Sequence, residues 1–477
     1  MTHPTSDSGE AEGLGLTSTD MRVTANADAS RSDVGNVGKN MLATIVGNLF
    51  PPLALLVTAP LLAHSLGVKG RGEVAGATSP LFLVVTAATF GMPQAVTYAI
   101  ARSPAVTQRI LRSATLVISL AGAMATGGVI LAAPWFGGDD PGLPRLIIAA
   151  ALAIVPNLAL TIARGVASGL HRWTRVAMEQ FVSSAAELVA LVVLAATGLL
   201  TPFTGTVVLA FSPITGAIAY VRVTRHAPSV QDRTDPLGAP RHLFSYGSRI
   251  WIGALSGILL SRLDQTVMTP LSSAFQLGIY ATAVTVSQVP LVINNAVRDV
   301  TFSADASERL DERLALSARV SGSACALVGI ITGISMHWWI PWLFGANFHS
   351  AVPVAAVLIC SVVLGTPGSV AGAGLSARGR PGLRSLGLVV ACPFNVALVV
   401  LLVPHHGAMG AAIATLVGSG VASSLAIYFT WRFFGVPPQT FYGLRRSDVA
   451  AVRRFIASML ERRPAGPGRA QLRGTHE

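Results

Sequence analysis

The sequence predicts an all-α polytopic membrane protein of about twelve transmembrane helices, and three observations carry that prediction. The 477 residues are 52% hydrophobic and only 12% charged, with a mean hydropathy of +0.60, far more apolar than a soluble domain built around one core. The apolar residues fall in runs of about 18 to 25, long enough for a helix to cross a hydrocarbon layer of roughly 30 Å. The arginines lie between the runs, and the short alternating segments of a closed β-barrel are missing.

In chain order, residues 1–40 are rich in Ser, Thr, Asp and Gly and lack the basic leader and short apolar core of a signal peptide, so they read as a disordered cytoplasmic tail. Six spans follow, Leu42–Ala63, Val74–Ile100, Ile110–Trp135, Leu143–Ala163, Met178–Leu199 and Phe203–Val223, forming a first six-helix bundle over 41–223. Residues 224–248, proline-bearing and of mixed charge, read as a cytoplasmic linker. A second bundle over 249–431 holds Ile250–Thr269, Leu277–Val297, Val320–Trp339, Ala351–Leu375, Leu383–Val403 and Ala408–Trp431, and residues 432–477 form a basic cytoplasmic tail. Each half opens with a helix, a turn containing Leu-Gly (Leu66-Gly67, Leu277-Gly278) and a second helix with an internal proline (Pro93, Pro290), which fits the repeat architecture of secondary transporters.

Basic residues set the orientation. The loops on one side hold 18 Lys and Arg and those on the other only Lys69, Arg71 and Arg145, so both termini are placed in the cytoplasm and the protein in the plasma membrane. The net charge of +12 thereby belongs to lipid-facing loops and the tail, with no nucleic-acid partner implied. Cys325, Cys360 and Cys392 lie singly in apolar runs, so neither a disulfide framework nor a thiolate metal site is indicated. Phosphate-cradling loops, nucleophile elbows and zinc-type histidine clusters are missing too, and His405-His406 reads as a solvated turn. The expectation is a protein that is not an enzyme and carries no cofactor or metal, apart from a coupling cation, H+ or Na+.

Three charges interrupt the spans. Arg262, Asp264 and Glu187 would each cost roughly 2.5 to 3.5 kcal/mol near a helix centre, so each should face a partner or water. Arg262 shares a helix face with Gln265, Thr266 and Thr269, a polar stripe expected to face the outer half of a cavity, although snorkelling to headgroups would also suit an arginine. Asp264, two residues on, points to nearly the opposite side with Ser261 and Met268, which leaves a structural contact and a coupling role both open. Gln288, Asn295 and Arg298 form a second stripe on the eighth span. Asn48 beside Pro51-Pro52 and Gln94 beside Pro93 could satisfy backbone freed at kinks or meet a substrate. Glu187, following Ser183 and Ser184, suggests an interhelical hydrogen bond.

Four stretches then agree with one family. "LLAHSLGVKGRGEVAGATSPLFLVVTAATFGMPQAVTYAIAR" (Leu61 to Arg102), "LLSRLDQTVMTPLSSAFQLGIYATAVTV" (Leu259 to Val286), "WLFGANFHSAVPVAAVLI" (Trp342 to Ile359) and "LVPHHGAMGAAIATLVGSGVA" (Leu402 to Ala422) resemble, in order, parts of polysaccharide exporters of the Wzx type within the multidrug/oligosaccharidyl-lipid/polysaccharide (MOP) flippase superfamily. The resemblance implies two six-helix bundles forming a V around a central cavity lined by helices 1, 2, 7 and 8. It also implies alternating access that turns a polyprenyl-diphosphate-linked saccharide from the inner to the outer leaflet. The first span carries no charge, unlike that of the related lipid II flippases. In this reading Arg298, Arg249 and Arg102 attract the diphosphate at the inner mouth, Asn48, Gln94, Gln288 and Asn295 contact sugar, and Arg262 with Gln265 serves the outward-facing state. Asp264 and Glu187 remain coupling or structural. Membrane lipid, a polysaccharide polymerase and glycosyltransferases are the expected partners. A cation-coupled drug exporter of the same superfamily and a membrane polymerase or ligase acting on lipid-linked saccharide are the alternatives.

Overall fold

The structure is a computed structural model that describes residues 18–102, 107–221, 240–307, 311–443, 445 and 448, with side chains left out over 18–49 and at a few further positions. The described residues form helices and no strand. In the first half these are α1 (Ser18–Ala87), α2 (Met92–Arg102), α3 (Thr107–Gly137), α4 (Leu143–Ala151), α5 (Ile154–Gly169), α6 (Trp173–Ala196) and α7 (Pro202–Thr215), the last continued by a 3-10 turn, Gly216–Tyr220. In the second half they are α8 (Pro240–Leu271), α9 (Ala274–Ser307), α10 (Asp311–Phe344), α11 (Ala351–Ala377) and α12 (Pro381–Phe434).

Nine described stretches are long and apolar enough to cross a membrane. Two of them are doubles. Gly67 (φ 69°, ψ −173°) divides α1 and Gly407 (φ 52°, ψ −128°) divides α12, each glycine taking a conformation that side chains rarely adopt and reversing the chain. With α8, whose hydropathy Arg262, Asp264 and Gln265 pull down, twelve helical spans can be counted among the described residues. The second glycine bend is braced from outside: the Ala408 amide, freed where a helix restarts, donates to Gln276 Oε1 at 3.1 Å.

Apolar burial follows the halves. One core joins Leu81, Met92, Ile100, Ile118, Ile147 and Val166 of α1 to α5, and another joins Met268, Tyr280, Ile340, Leu358 and Val403 of α8 to α12. Ala59, Ala63 and Val68 of α1, on either side of its Gly67 bend, pack into the second core. The halves also meet where Gly72 and Gly278 let α1 and α9 touch backbone to backbone: a Cβ on Gly72 would lie 1.7 Å from Ala274 O, and one on Gly278 2.0 Å from Val68 O.

Four expectations change. Helix α1 already runs from Ser18, so residues 18–40 are not an irregular tail; the stretch holds no proline and only Gly35 and Gly38, and extending an existing helix costs far less than nucleating one. Helix α8 begins at Pro240, inside the expected linker, with proline at the one helical end that tolerates it; residues 222–239 lie outside the described residues. Leu277-Gly278 sits within α9 instead of a turn, its glycine used for close approach. The start of the basic tail is docked, not merely solvated: Val436 and Phe441 are buried in a small core with Leu314, Ala318, Val370 and Ile427, and Arg319 holds Asp448 through two bonds of 2.7 Å.

That ion pair makes a pH prediction. The Arg319 hydrogen bonds hold the Asp448 carboxyl below its usual range. A depressed carboxyl contributes stability that is complete above its unfolded pKa, about 3.9, and is lost as pH falls through the lower folded value. Docking should therefore be flat from pH 8 to 5 and fail only in stronger acid. Hydrogen bonds to charged groups contribute about 1.5–3 kcal/mol, so Asp448→Asn should raise hydrogen exchange at the Thr440 and Tyr442 amides at least about tenfold at pH 7. Unchanged exchange would show that apolar burial alone holds the segment.

Candidate functional site

The site is built on the face of α8 that looks toward the first half. From Trp251, steps of 7, 11 and 14 residues reach Ile258, Arg262 and Gln265, all returning to within about 40° of one line along the helix. Both ends of that line touch the first half. Trp251 donates its indole Nε1–H to Ala87 O at 2.7 Å, supplementing the long 3.5 Å bond which that carbonyl accepts from the Phe90 amide where the second span breaks between α1 and α2. There Phe90 and Gly91 take positive φ, and Gly247 fits against Gly91, whose Cβ would lie 2.2 Å from Gly247 O. At the other end Ser79 Oγ donates to Gln265 Oε1 at 3.5 Å. Between the two crossings Arg262 is exposed, so it fronts the space between the halves.

The rest of the expected stripe is closed off. Gln265, Thr266 and Thr269 are buried at 6, 3 and 4% exposure. Thr266 Oγ1 donates to Arg262 O at 3.0 Å, and Thr269 Oγ1 lies against α1, 3.1 Å from where Gly76 would carry a Cβ. The physical reason is the glycine crossing, which brings α1 and α9 too close for these side chains to line a cavity.

Asp264 faces the other way. It is 3% exposed and accepts from the Tyr280 hydroxyl, from Thr415 Oγ1 at 3.1 Å and from the Gln265 amide at 2.7 Å. These groups lie at one end of a cavity of about 330 Å³ inside the second half, among α8, α9, α11 and α12, that also takes in Gln288, Asn294 and Arg384. Asn294 is buried with Oδ1 unpartnered among the described residues. Sequence reasoning selected Asn295 instead, which is half-buried outside that cavity. Arg298 is half-buried, with an interaction of its own.

In the first half Glu187 accepts from Ser212 Oγ at 3.3 Å across α6 and α7. Gln94 is exposed and lines a second cavity with Thr97, Arg164 and Trp251. Arg102 is exposed over the Tyr98 ring, 5.0 Å from its centroid. Asn48 and Arg249 lie outside the residues whose side chains are described.

Two charged clusters escaped the sequence. Arg164 Nε and Nη2 pair with both oxygens of Glu179 at 3.0 and 2.9 Å, and Tyr220 OH donates to the same carboxylate at 3.3 Å. Arg71 is 6% exposed and reaches across the halves, donating from Nε to Thr282 Oγ1 at 2.9 Å, from Nη1 to Ala59 O at 3.0 Å and from Nη2 to Thr285 Oγ1 at 3.0 Å. Both arginines border helix ends, where a sequence reading counts them with the loops.

Two halves of helices closing on a shared space are the architecture of known transporters. A multidrug resistance MATE family transporter of the MOP superfamily, in an inward-facing conformation, aligns over 82% of this chain and 98% of its own at a TM-score of 0.62 and 14% identity. The lipid II flippase MurJ in an inward closed conformation aligns over 88% and 93% at a TM-score of 0.71 and 10% identity. The fold is thus that of MOP-superfamily membrane proteins. Within it, the profile of the family described as "Polysaccharide biosynthesis protein" matches residues 37–302, and the chain belongs to that family. Among curated relatives, the "Probable low-salt glycan biosynthesis flippase Agl15" of Haloferax volcanii is 23% identical over 203 residues, 41% of this chain and 43% of the relative. An uncharacterized membrane protein, MJ1068 of Methanocaldococcus jannaschii, is 29% identical over 203 residues, 40% and 39% of the two chains. The matched part thus spans about two fifths of each relative's length.

Proposed function

We propose that this protein is a flippase that moves a polyprenyl-diphosphate-linked oligosaccharide from the inner to the outer leaflet, by alternating access, for cell-surface or exopolysaccharide biosynthesis. The observation that carries the reading is Arg262, an exposed guanidinium on the cleft face of α8 between two contacts that close the cleft. A diphosphate crossing hydrocarbon needs cationic partners at depth, and a planar guanidinium suits phosphate oxygens. Family membership and the flippase relatives support the same substrate class. With the arginine-rich loops cytoplasmic, the Arg71 and Gly72 contacts close the outer end and the Trp251 contact narrows the inner one. Asp264, seated with Tyr280 and Thr415 away from the cleft, is the coupling position in this reading, with H+ or Na+ as the ion.

The drug-exporter alternative would want a carboxylate in the cleft. Asp264 turns into the second half and Glu187 is tied to Ser212. A polysaccharide polymerase stands in this proposal as a partner, together with glycosyltransferases. In cells that depend on this protein for polymer export, Arg262→Ala should cut export at least tenfold while lipid-linked saccharide accumulates on the inner leaflet, and Arg262→Lys should retain part of it. Full export by the alanine variant would sink the reading.

A further inference from the structure

The second cavity, about 340 Å³, lies where α2, α5 and α8 meet, at the arginine-rich end of the cleft. Its construction is unusual for a space between membrane helices. Gly165 brings α5 so close to α2 that a Cβ there would lie 2.8 Å from Pro93 O, and Thr97 Oγ1 donates both to Pro93 O at 2.9 Å and to Gly165 O at 3.1 Å. The contact fixes Arg164 on one side of the cavity and Gln94 on the other. Arg164 is held side-on by Glu179, which uses Nε and one edge of Nη2. Glu179 is sealed in at 2% exposure while the Arg164 side chain remains 41% exposed and lines the cavity, so the buried carboxylate positions a guanidinium that a guest can still reach.

The remaining wall is built from acceptors. Thr86, Thr89, Thr97 and Thr161 each give their hydroxyl hydrogen to a backbone carbonyl one turn earlier, at 3.0, 2.7, 2.9 and 2.7 Å, so their lone pairs are what they can offer to a guest. Trp251 adds ring surface and is locked by its bond to Ala87 O. Donors from Arg164 and Gln94, hydroxyl acceptors and an aromatic plane are the complement of a phosphate joined to a sugar. We propose that this cavity is a second station in the cleft, binding the phosphate at Arg164 and Gln94 and the adjoining sugar against the threonines and Trp251. It rests on the flippase reading and adds the inner-side binding site. Ala254, which lines it, lies eight residues before Arg262, so the substrate would pass to Arg262 over roughly 12 Å.

Removing Arg164 alone would strand a buried carboxylate, so the test uses the double variant Arg164→Gln/Glu179→Gln, whose two amides can still pair. Full-length protein in lipid nanodiscs is titrated with farnesyl diphosphate, inorganic diphosphate or farnesol, and Ser168→Cys, at a wall position with no part in the proposed contacts, in a Cys360→Ala background is challenged with maleimide. Both diphosphates should protect the cysteine at position 168 and farnesol should not, and the double variant should bind farnesyl diphosphate at least tenfold more weakly with an unchanged melting temperature. Wild-type affinity in the double variant, or protection by farnesol, overturns the station. If Arg262→Gln alone abolishes binding, the station falls and the flippase reading stands; if the wild type binds neither diphosphate, the flippase reading itself falls.

Discussion

Gly72→Ala and Gly278→Val should each force the two halves apart at the end where α1 meets α9 and cut transport more than tenfold. The added carbons would fall 1.7 Å from Ala274 O and 2.0 Å from Val68 O, inside any possible contact distance, and the atoms met are backbone, which cannot rotate away. Overpacking a tight core costs about 1–3 kcal/mol even where side chains can adjust. Here the relief available is rigid-body separation, the movement that the proposed alternating access would require at this end. Spin labels at Lys69 and Phe275, both exposed, should move from one short distance to a longer, broader distribution in either variant. Gly127→Ala on α3, where a Cβ meets nothing within 4 Å, should leave the distance and transport as they were. A short distance retained in Gly72→Ala would mean that the crossing is not a close contact in the membrane.

The spans were legible because each follows from local facts: an apolar run, its length and the arginines beside it. What lies between spans was less so. Arg71 sits two residues from Lys69 in a stretch dense in glycine and charge, which reads as solvated turn; only the glycine crossing, a tertiary event, buries it. The same crossing covered Thr266 and Thr269. Helical spacing did separate Arg262 from Asp264, because two residues turn a helix by about 200°. It could not name Tyr280 and Thr415 as the partners of Asp264, since these lie 16 and 151 residues away. Glu179 and Arg164 were hidden by position: 15 residues apart at the ends of neighbouring helices, they look like loop charges until α5 and α6 fold back on each other. A carboxylate bordering an apolar run with an arginine in the preceding turn region was the available signal.

Arg71 leads to an expectation in which the conservative replacement does more harm than the drastic one. Its cation is buried among neutral acceptors, Thr282, Thr285, Ala59 O and, at 3.5 Å, Ala281 O, with the Phe344 ring 5.9 Å away. Burying a charge costs several kcal/mol, offset here by three short charge-assisted bonds of about 1.5–3 kcal/mol each, with the longer contact to Ala281 O adding less. Arg71→Met removes the desolvation cost together with the bonds. It leaves Thr282 and Thr285 bonded to Gly278 O and Ala281 O of their own helix at 2.9 Å, so no hydroxyl is stranded and the closed contact should survive nearly unchanged. Arg71→Lys keeps the charge but cannot span these acceptors from one nitrogen. Losing two bonds while still burying a cation should weaken closure by about 3 kcal/mol, more than a hundredfold. The label pair at Lys69 and Phe275 should therefore report an open end in Arg71→Lys and a closed one in Arg71→Met, with transport in the methionine variant slowed by a contact that no longer gains hydration on opening. If the methionine variant opens as far as the lysine variant, the guanidinium is a net tether between the halves and not a balanced, releasable one.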